Sequence, residues 1–213
     1  MRRIQYYDVL SLGYDVVTGP VHQQHRIDAV KLLRLRAGQT VLDVPCGTGT
    51  NLPFLSAGVG PNGHIVGCDY SPRMLAKART KVDEAGWDHV RLIEADARLI
   101  TRDQLGCNEI DAVICMLGMS VMPDWQDIFE RTYDMLKPGG RYVMLDLFLA
   151  GKRTTRLADA YFKVVANADS TRRFWEPLKT RVLDFETHES PCFGGVILTV
   201  AGTKPPQAAG ENS

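Results

Sequence analysis

Short, nearly unbroken apolar runs alternate along the chain with stretches whose apolar residues return every three or four positions. From Pro20, HQQHRIDAVKLLRLR reads as an amphipathic helix with Ile27, Val30, Leu33 and Leu35 on its apolar side, ending at Gly38. Thr40–Val44 is a short apolar strand. A Gly-rich turn and a helix over Asn51–Ala57 follow it, and GVGPNG closes that helix. His64–Cys68 forms the second strand, and Ser71 caps a helix running toward Gly86. Val90–Glu94 is the third strand. Ile110–Met116 is the fourth, apolar nearly throughout as a strand covered on both faces should be. Asp124 caps a helix that ends at Lys137-Pro138-Gly139-Gly140, and Arg141–Leu147 is the fifth strand.

After Ala150 the rhythm changes. Helical stretches over Thr154–Ala168 and Thr171–Leu178 precede two strand-like runs, Thr180–Glu186 and Val196–Gly202, which the turn-rich THESPCFGG joins as an antiparallel pair. The pattern predicts an α/β fold: a doubly wound, mostly parallel seven-stranded sheet of Rossmann-like type with an antiparallel C-terminal hairpin. One domain over residues 1–202 is expected. It comprises an N-terminal lid with helices (1–36), a core over 38–150 and acceptor-side helices with the hairpin (151–202), and residues 203–213 form a disordered tail.

Composition narrows the picture modestly. The 213 residues suit a single core, and 25 basic residues balance 25 acidic ones, so nothing draws the whole molecule to nucleic acid. The five cysteines form no CxxC pair and no zinc spacing, so buried reduced thiols and no metal site are expected. The start MRRIQYYDV has no apolar stretch behind it, as a signal peptide would need, and no run suits a membrane span. A cytoplasmic protein is expected, with a peripheral place at the inner membrane surface open to it.

The chemistry gathers at strand ends. In VLDVPCGTG, Gly47 and Gly49 let a ligand lie against the backbone, and Asp43 precedes them at the carboxyl edge of its strand. A dinucleotide fingerprint needs a third glycine, and Leu52 stands there; an acidic Asp43 would also repel a pyrophosphate yet suit a sulfonium and ammonium. Asp69 ends the second strand where a carboxylate accepts from ribose hydroxyls, with Tyr70 and Met74 beside an adenine. Asp96, with Ala97 after it, ends the third strand, placed for the adenine amino group.

These segments, with Lys137–Leu147, resemble the successive motifs of class I S-adenosylmethionine-dependent methyltransferases. The resemblance implies that Asp43, Gly47 and Gly49 hold the methionyl part of the cofactor and Asp69 its ribose. Tyr70, Met74, Asp96 and Ala97 would hold the adenine, and Cys115, Met116 and Leu117 would lie beside the sulfonium. Pro45 departs from the family pattern, which has Gly there, and lacks an amide to donate. Gly13-Tyr14-Asp15, the following GP…R segment, Gly86-Trp87 and Met119–Trp125 resemble, more narrowly, bacterial methyltransferases of lipid headgroup amines. That resemblance implies phosphatidylethanolamine-type or betaine-lipid-type N-methylation, with Tyr14, Tyr7 and His25 as candidate catalytic residues. Related enzymes for soluble metabolites, quinones or polyketides share every cofactor motif, and a non-catalytic cofactor-binding module is the third reading. The partners implied are a small-molecule or lipid acceptor and an anionic lipid surface, the latter through the apolar stripe and basic residues of Thr154–Leu178.

Overall fold

The computed structural model of the chain describes residues 14–107, 109–149, 156–165, 167–192 and 195–207, with side chains described from residue 22 onward in the first helix. The elements run α1 (Tyr14–Leu32), β1 (Thr40–Asp43), α2 (Leu52–Val59), β2 (His64–Asp69), α3 (Pro72–Ala85), β3 (Val90–Glu94) and α4 (Arg102–Leu105). Then come β4 (Ile110–Met116), α5 (Trp125–Met135), β5 (Leu136–Phe148), α6 (Arg156–Val165), α7 (Glu176–Lys179), β6 (Glu186–Cys192) and β7 (Gly195–Thr203). The seven strands lie in the order β3-β2-β1-β4-β5-β7-β6. β1 to β5 pair in parallel, while β7 is antiparallel to both β5 and β6. The order reverses between β1 and β4, and in open α/β sheets the crevice outside such a switch point is where ligands bind.

Alternate residues of each strand feed two cores, one per face of the sheet. Leu42, Val66, Val113, Cys115, Tyr142 and Met144 pack with α5 and the Phe174–Leu178 segment, and Val41, Ile65, Ala112, Ile114, Val143 and Leu145 pack with α1 and α2. On the first face Phe129 meets Tyr133 and Tyr142 at centroid distances of 5.5 and 5.3 Å, and the Tyr142 hydroxyl pairs with Thr132 Oγ1 at 2.7 Å. The caps follow the sequence: Ser71 accepts from the Met74 amide at 3.2 Å, and Gly86 takes the left-handed conformation that ends α3.

Three expectations need correction. β6 forms over the supposed turn, because THESPC is an edge strand whose polar side chains face solvent and so carry no apolar signal; of Thr180–Glu186 only Glu186 is strand. β5 begins at Leu136 and takes in the KPGG segment, with an irregular register against β4. The expected tail begins too early, since Thr203 still pairs with Arg141 and Lys204 reaches back to the end of α5. Its Nζ donates to the carbonyls of Tyr133 and Leu136, both at 2.8 Å, and lies 4.8 Å from the Tyr133 ring centroid. A cation there adds a second donor to the Tyr133 carbonyl, which already accepts from the Leu136 amide, and complements the negative end of the helix. The four-residue α4 was also unanticipated, although Thr101 and Gln104 form the reciprocal cap that T-x-x-Q announces.

Among the described residues no helix is long and apolar enough to cross a membrane. Replacing Phe129, 0 % exposed, by Ala should cost about 3–5 kcal/mol of unfolding free energy, read from urea denaturation.

Candidate active site

A cavity of about 310 Å³ opens at the carboxyl ends of β1, β2, β3 and β4. One wall is the β1–α2 turn with Pro45, Cys46, Gly47, Thr48, Thr50 and Asn51; another is Asp69 to Ser71 with Met74. The third is Ala95 to Arg98, and the fourth is apolar: Met116, Leu117, Val121, Met122, Pro123 and Ile128.

The turn is held from below. Asp69 Oδ2 accepts from the Gly47 amide at 2.8 Å and its Oδ1 from the Ser71 amide at 2.9 Å, while Lys81 of α3 donates to the Thr48 carbonyl at 2.8 Å. Burial pushes the Asp69 carboxyl above the usual range, and these amides pull against that shift. Gly47 has φ +54 with open space where a side chain would sit, as a backbone in contact with ligand requires. Gly49 serves otherwise: at φ +77, an added Cβ would lie 2.7 Å from Leu52 Cδ1 and 3.1 Å from Ala78 Cβ. It packs α2 against α3 and lies outside the cavity wall. The Val44–Pro45 peptide is cis, and the Pro45 ring packs closely on Gly118.

Asp43 is also set back from the wall. It is fully buried, and Asn51 Nδ2 donates to both its oxygens at 3.0 and 3.2 Å; Arg26 Nη1 in turn donates to Asn51 Oδ1 at 3.3 Å. Burial pushes the Asp43 pKa up to about 7, opposed by Asn51 and Arg26. Asp43 itself does not line the cavity, whereas Asn51, its hydrogen-bond partner, does. Cys115 is likewise buried among core side chains behind the wall that Met116 and Leu117 form. Its thiol is pushed up by burial, as are those of Cys46 and Cys68. Leu117 carries φ +54, the left-handed conformation a branched side chain resists, which fixes the wall's direction as it leaves β4.

Tyr70, Met74, Asp96 and Ala97 line the far end, Met74 buried and Tyr70 55 % exposed at the rim. Asp96 is already engaged: Arg98 grips it through Nε and Nη2 at 3.0 and 2.5 Å and reaches Asp124 with Nη1 at 2.7 Å. That bonding with Arg98 holds the Asp96 carboxyl below its ordinary value. It also explains why Asp124 gives no cap bond to α5.

The apolar wall is tied to the sheet by Asp146. Its carboxylate accepts from the Ser120 amide and hydroxyl, both at 2.8 Å, and Arg172 donates to the Met119 carbonyl at 2.7 Å and to that of Met122.

Of the expected catalytic residues, Tyr7 lies outside the described residues, as does the side chain of Tyr14, which stands in the first turn of α1. His25 is half-buried on α1 and does not line the cavity. Sequence reasoning missed Arg26, Asn51 and Arg98. Arg26 had a signal, because it falls on the buried face of α1 with Ala29, Val30 and Leu33, where a charge has no business unless something pairs with it. Asn51 read only as the start of a helix over Asn51–Ala57; its side chain makes no cap bond and turns to Asp43 instead.

The donor set matches an S-adenosyl ligand: a guanidinium and an amide at one end, a carboxylate below an open glycine in the middle, and an apolar slot beside Met74. Two outcomes follow from this geometry. Gly49→Ala should destabilise the fold by about 1–3 kcal/mol in urea denaturation, through the Leu52 and Ala78 clash. Burial raises Asp146 to about 6, above its unfolded value of 3.8. Its stabilising share is therefore full below about pH 4 and lost as pH rises through 6. Unfolding free energy compared at pH 5 and pH 8 should show a loss in the native chain on the order of 1–3 kcal/mol larger than in Asp146→Asn.

Comparison with known proteins agrees with the geometry. A family model described as a methyltransferase domain matches residues 41–140. The demethylmenaquinone methyltransferase of Listeria welshimeri is 33% identical over 144 residues, 66% of this chain and 60% of that protein. That of Shouchella clausii is 34% identical over 140 residues, 66% and 57% of the two. The matched stretch thus spans about 60% of these relatives' length. Among solved structures, a Haloferax volcanii methyltransferase in complex with the Trm112 activator superposes with a TM-score of 0.73 at 20% identity, covering 93% of this chain and 97% of that one. The N-methyltransferase NodS of Bradyrhizobium japonicum bound to S-adenosylhomocysteine gives 0.67 at 14%, covering 87% and 88%. The [4+2]-cyclase SpnF gives 0.74 at 16%, covering 95% of each chain. Residues 41–140 match a methyltransferase domain, and the chain shares the seven-stranded α/β methyltransferase fold of these structures.

Proposed function

We propose that the protein moves a methyl group from S-adenosylmethionine to a small apolar acceptor, a ring carbon of the hydroquinone type. The observation that carries this reading is the likeness to demethylmenaquinone methyltransferases, and the wall of Met116, Leu117, Val121, Met122 and Pro123 supports it. The lipid headgroup amine expected from the sequence is favoured less. A cationic product is held best by aromatic faces, and Tyr70 is the one aromatic side chain among the described residues that line the cavity.

The cofactor supplies a methyl already activated on sulfur, so the chain has to align, enclose and orient. In this reading the Gly47 backbone and Asn51 hold its amino-acid end and Asp69 its ribose, with Tyr70, Met74, Asp96 and Ala97 around its adenine. Met116 and Leu117 shape the approach to the methyl, and Asp146 and Arg172 keep the apolar wall in place. A ring carbon attacks when a neighbouring hydroxyl is ionised. The new carbon–carbon bond forms as the carbon–sulfur pair withdraws to sulfur, and the ring proton leaves to solvent.

Labelled cofactor separates the acceptors. With a reduced, demethylated naphthoquinone as substrate, label should enter the organic phase as ring methyl by mass spectrometry. Label in phosphatidylethanolamine vesicles instead would return the amine reading. No transfer to either, with cofactor still bound, would point to the other chemistry that this fold supports in SpnF. In calorimetry, Asp69→Asn should weaken S-adenosylhomocysteine binding by about 10- to 100-fold, as expected when hydrogen bonds to a charged group are lost.

A further inference from the structure

One cation reaches two walls of the cavity at once. Arg98, which follows β3, and Asp124, which precedes α5, both line it, as does Asp96. Oδ1 of Asp96 accepts from the Arg98 amide and from Nε, both at 3.0 Å, and Oδ2 accepts from Nε at 3.1 Å and from Nη2 at 2.5 Å. Each oxygen thus accepts twice, and a carboxylate offers about four such places in all. Asp96 has none left for the amino group of an adenine. The remaining corner of the guanidinium, Nη1, lies 2.7 Å from Asp124 Oδ2, and Asp127 in the first turn of α5 adds its field there. The backbone at Arg98 is held, since Arg131 Nε donates to its carbonyl at 3.3 Å, whereas its side chain is 44% exposed and has room to turn.

We infer that Arg98 is a positioning residue with two seats: an adenine amino group displaces its side chain from Asp96, and the guanidinium then moves wholly onto Asp124. The inference rests on the cofactor reading above and adds to it a residue that contests the adenine's place. Both ion pairs are partly exposed, so neither is strong enough to forbid the exchange. Asp124 directly follows Val121, Met122 and Pro123 of the apolar wall. The cation that yields Asp96 to the cofactor therefore pins the segment that faces the acceptor, and cofactor binding firms the acceptor side of the cavity. A fixed tether between the walls would act the other way, because losing it would loosen Asp96 and weaken the cofactor.

Calorimetry on the full chain separates the two with S-adenosylhomocysteine and its counterpart bearing an unsubstituted purine, which lacks the 6-amino group and makes no claim on Asp96. Neither measurement needs the acceptor. Arg98→Met should bind S-adenosylhomocysteine about 3- to 10-fold more tightly than the native chain, because the competitor for Asp96 is gone. Asp124→Asn, which takes the charge from the second seat, should bind it about 3- to 10-fold more weakly. That loss should vanish when Arg98→Met is added, since the two residues act as one unit. The unsubstituted purine should bind all of these chains alike. Weaker binding of S-adenosylhomocysteine in Arg98→Met overturns the inference in favour of a fixed tether, and unchanged binding overturns it in favour of a solvated surface pair. A gain in Arg98→Met that the unsubstituted purine shares overturns it too, because the amino group is then not what Arg98 contests. If the native chain binds neither ligand, the cofactor reading fails first and takes this one with it.

Discussion

A carboxylate sealed from water at the end of β1 sets the terms for the rest of the site. Asp43 cannot be left alone in a dry interior, because an isolated buried charge is costly and each unpaired oxygen adds to the cost. Asn51 answers it with one amide group, Arg26 answers Asn51, and so the first helix must lie across the mouth of the β1–α2 turn. The second carboxylate, Asp69, fixes the turn from the neighbouring strand through the amides of Gly47 and Ser71. Between them the two acids define where backbone can face a ligand and where it cannot.

Sequence made the parallel half of this molecule legible because its central strands β1, β2 and β4 are buried on both faces. β3 and β4 fall where the apolar runs place them, and the acids at strand ends come to one edge of the sheet. The antiparallel half was harder for a physical reason. β6 is held by backbone pairing to β7 with its side chains largely in solvent, so Thr187, His188 and Glu189 carry no hydrophobic period. Motif reading also conflated position with contact. Asp43, Gly49 and Cys115 stand at the expected places in the chain, yet Asp43 lies behind Asn51, Gly49 serves helix packing and Cys115 belongs to the core.

The site's missing members were hidden by their neighbours' signals. Arg98 reads as one more surface cation until Asp96 and Asp124 are seen on either side of it. Arg26 lies in a segment dense with charge, where only the helix's true buried face, shifted from the one read off Ile27 and Leu35, marks it out. A shared fold leaves chemistry open, as the cyclase SpnF illustrates, and it is the side chains around the cavity that narrow the choice.

The exposed β6 edge has a consequence of its own. A strand with unpaired amides invites another molecule to extend the sheet, and long apolar edges do so readily. Here the rim presents His188 and Glu189, and at Pro191 there is no amide to offer. A neighbouring chain arriving side by side would find charge and a gap in the ladder. The seven-stranded sheet therefore ends at its own boundary, protected against fibrous self-association by the very residues that disguise the strand.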